Sequence, residues 1–87
     1  MEIKIFWKEG CPNCPEAKKI GNILKDEGHN VAFHDIESLN GLTEATIHNV
    51  MSTPSIIITH NDEEKKAWRG KPPTLEEIKK WLEDNNI

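Results

Sequence analysis

The sequence predicts an α/β fold in the order β-α-β-α-β-β-α, a four-stranded mixed sheet with helices on both faces. Three observations predict it. Apolar runs of strand period alternate with runs of helical period, the pattern of strand–helix–strand units with right-handed parallel connections. Ser55-Ile56-Ile57-Ile58-Thr59 is β-branched and nearly continuous, as in a central strand covered on both faces. It is followed at once by a turn signal near Asn61-Asp62 and another strand-like run, which makes the last two strands a hairpin. Eighty-seven residues are too few for two independent cores, so residues 1–87 are expected to form one domain.

The elements follow in order. Ile3, Ile5 and Trp7 alternate with Glu2, Lys4 and Phe6, a strand with one strongly apolar face and one mixed face. Lys8-Glu9-Gly10 is a short loop. Over residues 13–27 the period becomes helical, with Ala17, Ile20, Ile23 and Leu24 on one side and Gly28 suited to the left-handed position after the helix. Gly21 inside this helix costs about 1 kcal/mol relative to alanine, which points to close packing against a neighbour. Val31, Phe33 and Asp35 alternate with Ala32, His34 and Ile36 in a second strand, and a weaker helix spans roughly residues 41–50. The fourth strand lies around residues 66–68, and Lys71-Pro72-Pro73 then stops regular structure. Thr74 and Glu77 have capping-box spacing and open a last helix with Leu75, Ile78, Trp81 and Leu82 inward.

Eleven basic against fifteen acidic residues leave a net charge of −4, with no clustered basic face for phosphates, so nucleic acid is not an expected partner. The polar run from Asn61 to Lys66 reads as a solvated hairpin tip. No apolar run reaches the ~18 residues of a membrane span. The N-terminus begins directly with a strand pattern and lacks the apolar core of a signal peptide. The expected location is therefore cytoplasmic, where a close cysteine pair is more often catalytic or metal-binding than a structural staple.

That pair is Cys11-Pro12-Asn13-Cys14, at the junction of the first strand and first helix. Two thiols at this spacing can hold a metal, staple a loop or cycle between thiol and disulfide. A metal site would need two further ligands. The candidates His29, His34, His48 and His60 show no helical i, i+4 pairing, and no second C-x-x-C exists. His34 and His48 are expected at the surface or rim. A helix N-terminus carries about half a positive charge and unpaired N–H groups, which stabilise a thiolate. Cys11, at the start, is assigned as the attacking thiolate, and Cys14, one turn further in, as the resolving thiol. Pro12 suits a first helical position. Pro15, counted from Cys11, falls where its missing N–H begins to matter, and an irregular first turn is expected.

The second signal is Ser52-Thr53-Pro54-Ser55, directly before the apolar strand. A proline can begin a strand in the ordinary trans form. Beside the cysteine pair the cis form is favoured, turning the backbone N–H and C=O of Thr53 outward to pair with a substrate strand.

These residues resemble the thioredoxin superfamily over nearly the whole chain. Phe6-Trp7 before the loop is similar to thioredoxins. Cys-Pro-x-Cys at residues 11–14 and Lys8, three before the first cysteine, are similar to glutaredoxins. Thr53-Pro54 falls where the family carries its cis-proline, and the short length matches glutaredoxin-like redoxins. The resemblance implies a thioredoxin-like fold of the glutaredoxin type and reversible reduction of protein disulfides through Cys11 and Cys14. Lys8, Pro12, Asn13, Thr53 and Pro54 are the implied substrate-binding residues.

Departures from the family pattern shape the expectation. Ile5 stands where thioredoxins usually carry a buried aspartate taken to assist proton transfer at the resolving cysteine. Thr53 replaces the valine of the glutaredoxin Thr-Val-Pro, and Trp68-Arg69-Gly70 replaces the glycine pair that holds glutathione. A monomeric protein-disulfide reductase without cofactor, served by an upstream reductase of the thioredoxin-reductase type, is favoured over a glutathione-dependent one. A non-enzymatic module holding an iron–sulfur cluster or metal is the alternative from another class. Trp81 is expected in the core and Trp7 as support for the loop. Trp68 and Met51 are each placed equally well in the core or on an apolar rim.

Overall fold

In the computed structural model, which describes residues 1–85, the chain runs β1 (Glu2–Trp7), α1 (Cys14–Asp26), β2 (Asn30–Asp35), α2 (Leu39–Ile47), β3 (Ser55–His60), β4 (Glu63–Arg69) and α3 (Leu75–Asp84). The predicted order of elements is the observed one. The strands form a single mixed sheet in the order β2-β1-β3-β4, with β1 parallel to β2 and antiparallel to β3. β3 and β4 form the expected hairpin, with left-handed φ values of 51° at Asn61 and 64° at Asp62. Asparagine and aspartate tolerate that region, which suits a tight two-residue turn. β4 is longer than the sequence pattern indicated. It is an edge strand dense in charge, and its register slips by one residue opposite Ile58 and Thr59. Charge and a bulge on an edge both discourage pairing with another chain.

The two faces of β1 explain the layering. Ile3 and Ile5 join Ile56 and Ile58 on the face covered by Ala17, Ile20 and Leu24 of α1 and Ile78 of α3, all buried. Trp68 and Trp81 are partly buried and pack against this cluster. Phe6 and Ile57 look the other way and meet Ala45 of α2 and the following Val50. Gly21 confirms the close approach its position suggested. A Cβ there would lie 2.8 Å from the Phe33 ring and 3.1 Å from Ile5. Gly28 follows α1 with φ at 95°, where a side chain is disfavoured.

Helix starts differ from expectation in ways that local hydrogen bonds explain. α1 begins at Cys14, so Pro12 lies in the preceding turn and is not the first helical residue. The Cys14 N–H donates to the Cys11 carbonyl at 3.3 Å, closing that turn, and the helical ladder opens with the Ala17 N–H on the Asn13 carbonyl. Pro15 is thereby the second helical residue, where the helix leaves the N–H unpaired in any case. α2 starts two residues earlier than its periodicity indicated, because the Ser38 hydroxyl accepts from the Gly41 N–H at 3.0 Å and donates to the Asp35 carbonyl at 2.7 Å. At α3, Thr74 accepts from the Glu77 N–H as predicted, while the Glu77 carboxylate accepts instead from Trp68 Nε1 at 3.1 Å, tying α3 to the sheet.

His48 is buried and not a surface residue, while His34 is half-buried. His48 is 8% exposed, and its Nε2 lies 3.0 Å from the ammonium of Lys4, which is itself 7% exposed. Lys4 also reaches Glu44 at 3.3 Å and Glu2 at 3.8 Å. His34 stacks on Phe6 at 5.2 Å between ring centroids, and its buried Nε2 has no partner among the described residues. With Lys4 donating, His48 must offer a bare Nε2 and carry its proton on Nδ1. The mixed face of β1 is thus a buried polar cluster under α2, which the strand pattern showed only as Lys4 between apolar neighbours.

These contacts set two expected outcomes. Gly21→Val should lower the unfolding free energy by about 1–3 kcal/mol in urea titrations, because neither β1 nor β2 leaves room for a branched side chain. The pKa values of both His34 and His48 are lowered from 6.5, first by burial and then, for His48, by the Lys4 charge; for His34 the Lys4 charge is outweighed by the opposite pull of Glu44. The unfolded chain therefore takes up protons first, and stability present above about pH 6.5 should fall as pH drops toward the lower folded values. The urea midpoint should decline from about pH 7.5 to about pH 5.5, and the double variant His34→Phe, His48→Gln should flatten that slope.

Candidate active site

At the C-terminal end of β1 the chain leaves the sheet at Trp7 and crosses residues 8–13 to reach α1. Cys11 and Cys14 are joined by a disulfide with Cα atoms 5.3 Å apart. Cys14 is the first residue of α1 and is 2% exposed; Cys11, in the loop, is 8% exposed. The bond therefore sits at the positive end of the helix dipole, where a released thiolate is stabilised. Asn13 holds the cap position but its side chain makes no capping bond, so Pro12 and Asn13 both stand exposed at the tip of the turn.

The Thr53-Pro54 bond is cis. Its place beside the cysteine loop follows from the strand register. Ser55 pairs with Phe6, so the residues just before β3 lie at the same end of the sheet as Trp7 and the loop after it. Pro54 is buried, and its carbonyl accepts from the Gly70 N–H at 3.0 Å, which locks the segment to the end of β4. Thr53 is half-buried, and neither its N–H nor its C=O has a backbone partner among the described residues. Those two groups are free to pair with an added extended strand. Met51 is 94% exposed, on the outside of this segment and not in the core.

Lys8 lies in a shallow pocket together with Trp7, Glu9, Gly10, both cysteines, Pro15 and Lys18. Lys18 was not singled out from the sequence. Its Nζ stands 3.7 Å from the centroid of the Trp7 ring. The i, i+4 spacing from Cys14 put it on the right helical face, but the contact with Trp7 joins helix to strand and has no local signature. Gly70, the last residue of the Trp68-Arg69-Gly70 tripeptide, likewise has no local signature of its bond to Pro54, which spans a tertiary contact. Ile5, in the position of the family's aspartate, is fully buried in the apolar cluster and supplies no proton acceptor. Trp68 and Trp81 pack, partly buried, against the α1/α3 cluster, and His34 and His48 lie on the α2 side. Among the described residues, no three His, Cys, Asp or Glu side chains are grouped to hold a metal ion. No helix among them is long and apolar enough to cross a membrane.

A mixed sheet with a cysteine pair at the first helix and a cis-proline opposite it defines a thioredoxin-fold redox protein. A family model described as the thioredoxin domain matches residues 1–83, and the chain belongs to that family. Among solved structures it is similar to thioredoxin 1 of Thermosipho africanus, at 23% identity over the full length of both chains, with a TM-score of 0.75. A mutant thioredoxin from Halobacterium salinarum matches 99% of this chain and 74% of its own, at 17% identity and a TM-score of 0.83. Thioredoxin O2 of Arabidopsis thaliana matches 99% of this chain and 75% of its own, at 15% identity and a TM-score of 0.78. At these identities the likeness is one of fold. A search of curated proteins found no matching relative. Family membership together with the Cys11–Cys14 disulfide supports thiol–disulfide oxidoreductase activity.

Once the disulfide is reduced, Cys11 should react with iodoacetamide faster than Cys14 at every pH below that of full ionisation. Mass spectrometry of partly alkylated protein reads the order directly, and equal labelling of the two thiols would contradict the site assignment.

Proposed function

We propose that this protein reduces disulfide bonds of other proteins by dithiol exchange, with Cys11 as nucleophile and Cys14 as resolving thiol. The observation that carries the reading is the Cys11–Cys14 disulfide at the start of α1, at the end of the sheet where the cis Thr53-Pro54 segment leads into β3. In the reduced protein the Cys11 thiolate attacks one sulfur of a substrate disulfide. The substrate S–S bond breaks, its leaving sulfur takes up a proton, and a mixed disulfide to Cys11 remains. The Cys14 thiol loses its proton and attacks Cys11 Sγ, which releases the second substrate thiolate and closes the Cys11–Cys14 disulfide. Two electrons pass to the substrate, and an upstream reductant restores the dithiol.

The remaining residues take supporting roles. Thr53 offers its N–H and C=O to an extended substrate segment, and Pro54 keeps the strand start against the loop. Pro12 and Asn13 form the exposed tip that meets the substrate next to Cys11. Lys8 adds positive charge at the rim. Reduction by a reductase of the thioredoxin-reductase type is favoured, because Thr53 and Trp68-Arg69-Gly70 depart from the residues that hold glutathione in glutaredoxins.

Insulin reduction driven by dithiothreitol tests the reading. The parent protein should precipitate the insulin B chain well ahead of the reagent alone. Cys11→Ser should abolish the effect, and Cys14→Ser should trap a mixed disulfide visible on a non-reducing gel. Turnover no faster than dithiothreitol alone would sink the proposal. Turnover with glutathione and a small mixed disulfide, but not with a thioredoxin reductase, would replace the favoured electron donor.

A further inference from the structure

We propose that Lys18 is an electrostatic positioning residue of the redox site, clamped over Trp7 so that its charge stabilises the thiolate form of the cysteine pair. The inference rests on the oxidoreductase reading and concerns the same site. Lys18 lies one helical turn after Cys14, on the same side of α1, and lines the pocket that contains both cysteines. A lysine side chain ordinarily spreads its ammonium over many rotamers. Here the ammonium stands 3.7 Å from the Trp7 ring centroid, which fixes it at the strand end where the cysteine loop departs. None of the ion pairs among the described residues includes Lys18, so no carboxylate neutralises it.

The neighbouring charges sharpen the assignment. Lys8 and Glu9 line the same pocket with opposite sign, are exposed, and take part in no ion pair among the described residues. Their solvent-screened effects on the sulfurs oppose one another. Glu16 is exposed two residues before Lys18 and faces another direction on the helix. Asp35 is the β2 partner of Trp7 and is half-buried, but its carboxylate accepts from the Glu37 N–H at 2.9 Å and forms no ion pair with Lys18, so Lys18 is the held cation of the pocket. When a thiol ionises, its proton leaves to solvent. The gain is in the thiolate population, and no proton passes through Lys18. With an apolar Ile5 in place of a family aspartate, a positive charge on the open side takes on the task of making the thiols ionise.

The test is the pH profile of iodoacetamide alkylation in the reduced protein, read for Cys11 by mass spectrometry in a charge series at position 18. Lys18→Gln should move the midpoint of Cys11 alkylation upward and slow the reaction near pH 7 by roughly three- to tenfold. Lys18→Glu should move it further, and Lys18→Arg, which keeps the charge and stacks on tryptophan, should restore the parent profile. Circular dichroism of each variant shows that the fold is retained. Superimposable profiles for the Gln and Arg variants would overturn the proposal. So would a Gln variant that lost insulin turnover with its alkylation midpoint unchanged, because that outcome assigns Lys18 to substrate docking. A parent that fails to reduce insulin while the charge series still shifts the midpoint would fault the functional reading and leave the Lys18 assignment standing.

Discussion

β1 is paired on both edges and covered on both faces, and the rest of the molecule is arranged around satisfying that double burial. Its backbone groups are taken up by parallel pairing with β2 and antiparallel pairing with β3. Its odd-numbered side chains require the apolar stripe of α1 and Ile78 of α3, and its even-numbered ones require α2. Once both layers close, the C-terminal end of β1 is a rigid rim from which the cysteine loop leaves. The start of β3 is held beside it by the Phe6–Ser55 pairing. The redox site is therefore a property of where β1 ends.

The two layers differ in chemistry. The α1/α3 side is dry and is built from isoleucine, leucine and alanine with tryptophans at its margin. The α2 side contains Phe6 and Ile57 but also the ammonium of Lys4, enclosed by His48, Glu44 and Glu2. Burying a charge is costly unless partners replace the lost water, and here three partners converge on one ammonium. His48 sits directly after α2, and its carbonyl accepts from Arg69 Nη2 at 2.8 Å. The polar cluster thus reaches the segment that leads to Thr53 and Pro54. An apolar face positions the cysteines, while a polar one secures the opposite lip of the site.

Much of this was legible in the chain. Period-two and helical patterns marked every element, because each strand and helix buries one or two faces against a layer of fixed chemistry. The sharp features were legible for local reasons. Cys11 and Cys14 declare themselves by spacing, Thr74 by its cap and Gly28 by its place after a helical run. Gly21 was an anomaly whose partner, the Phe33 ring, could not be named without the fold. Helix starts were read less well. Ser38 begins α2 ahead of the apolar pattern, and Pro15 became comprehensible only when α1 was found to open at Cys14.

The sequence by itself determined the order of elements, the redox pair and the proline segment opposite it, since these depend on local chemistry and on periodicities a few residues long. Tertiary structure alone decided which side chains meet across layers. Lys4 with His48, His34 on Phe6, Gly70 with Pro54 and Lys18 on Trp7 join residues from different elements. The physical reason is that such contacts are set by sheet register and by the angle at which helices cover it. No short stretch of residues encodes either quantity.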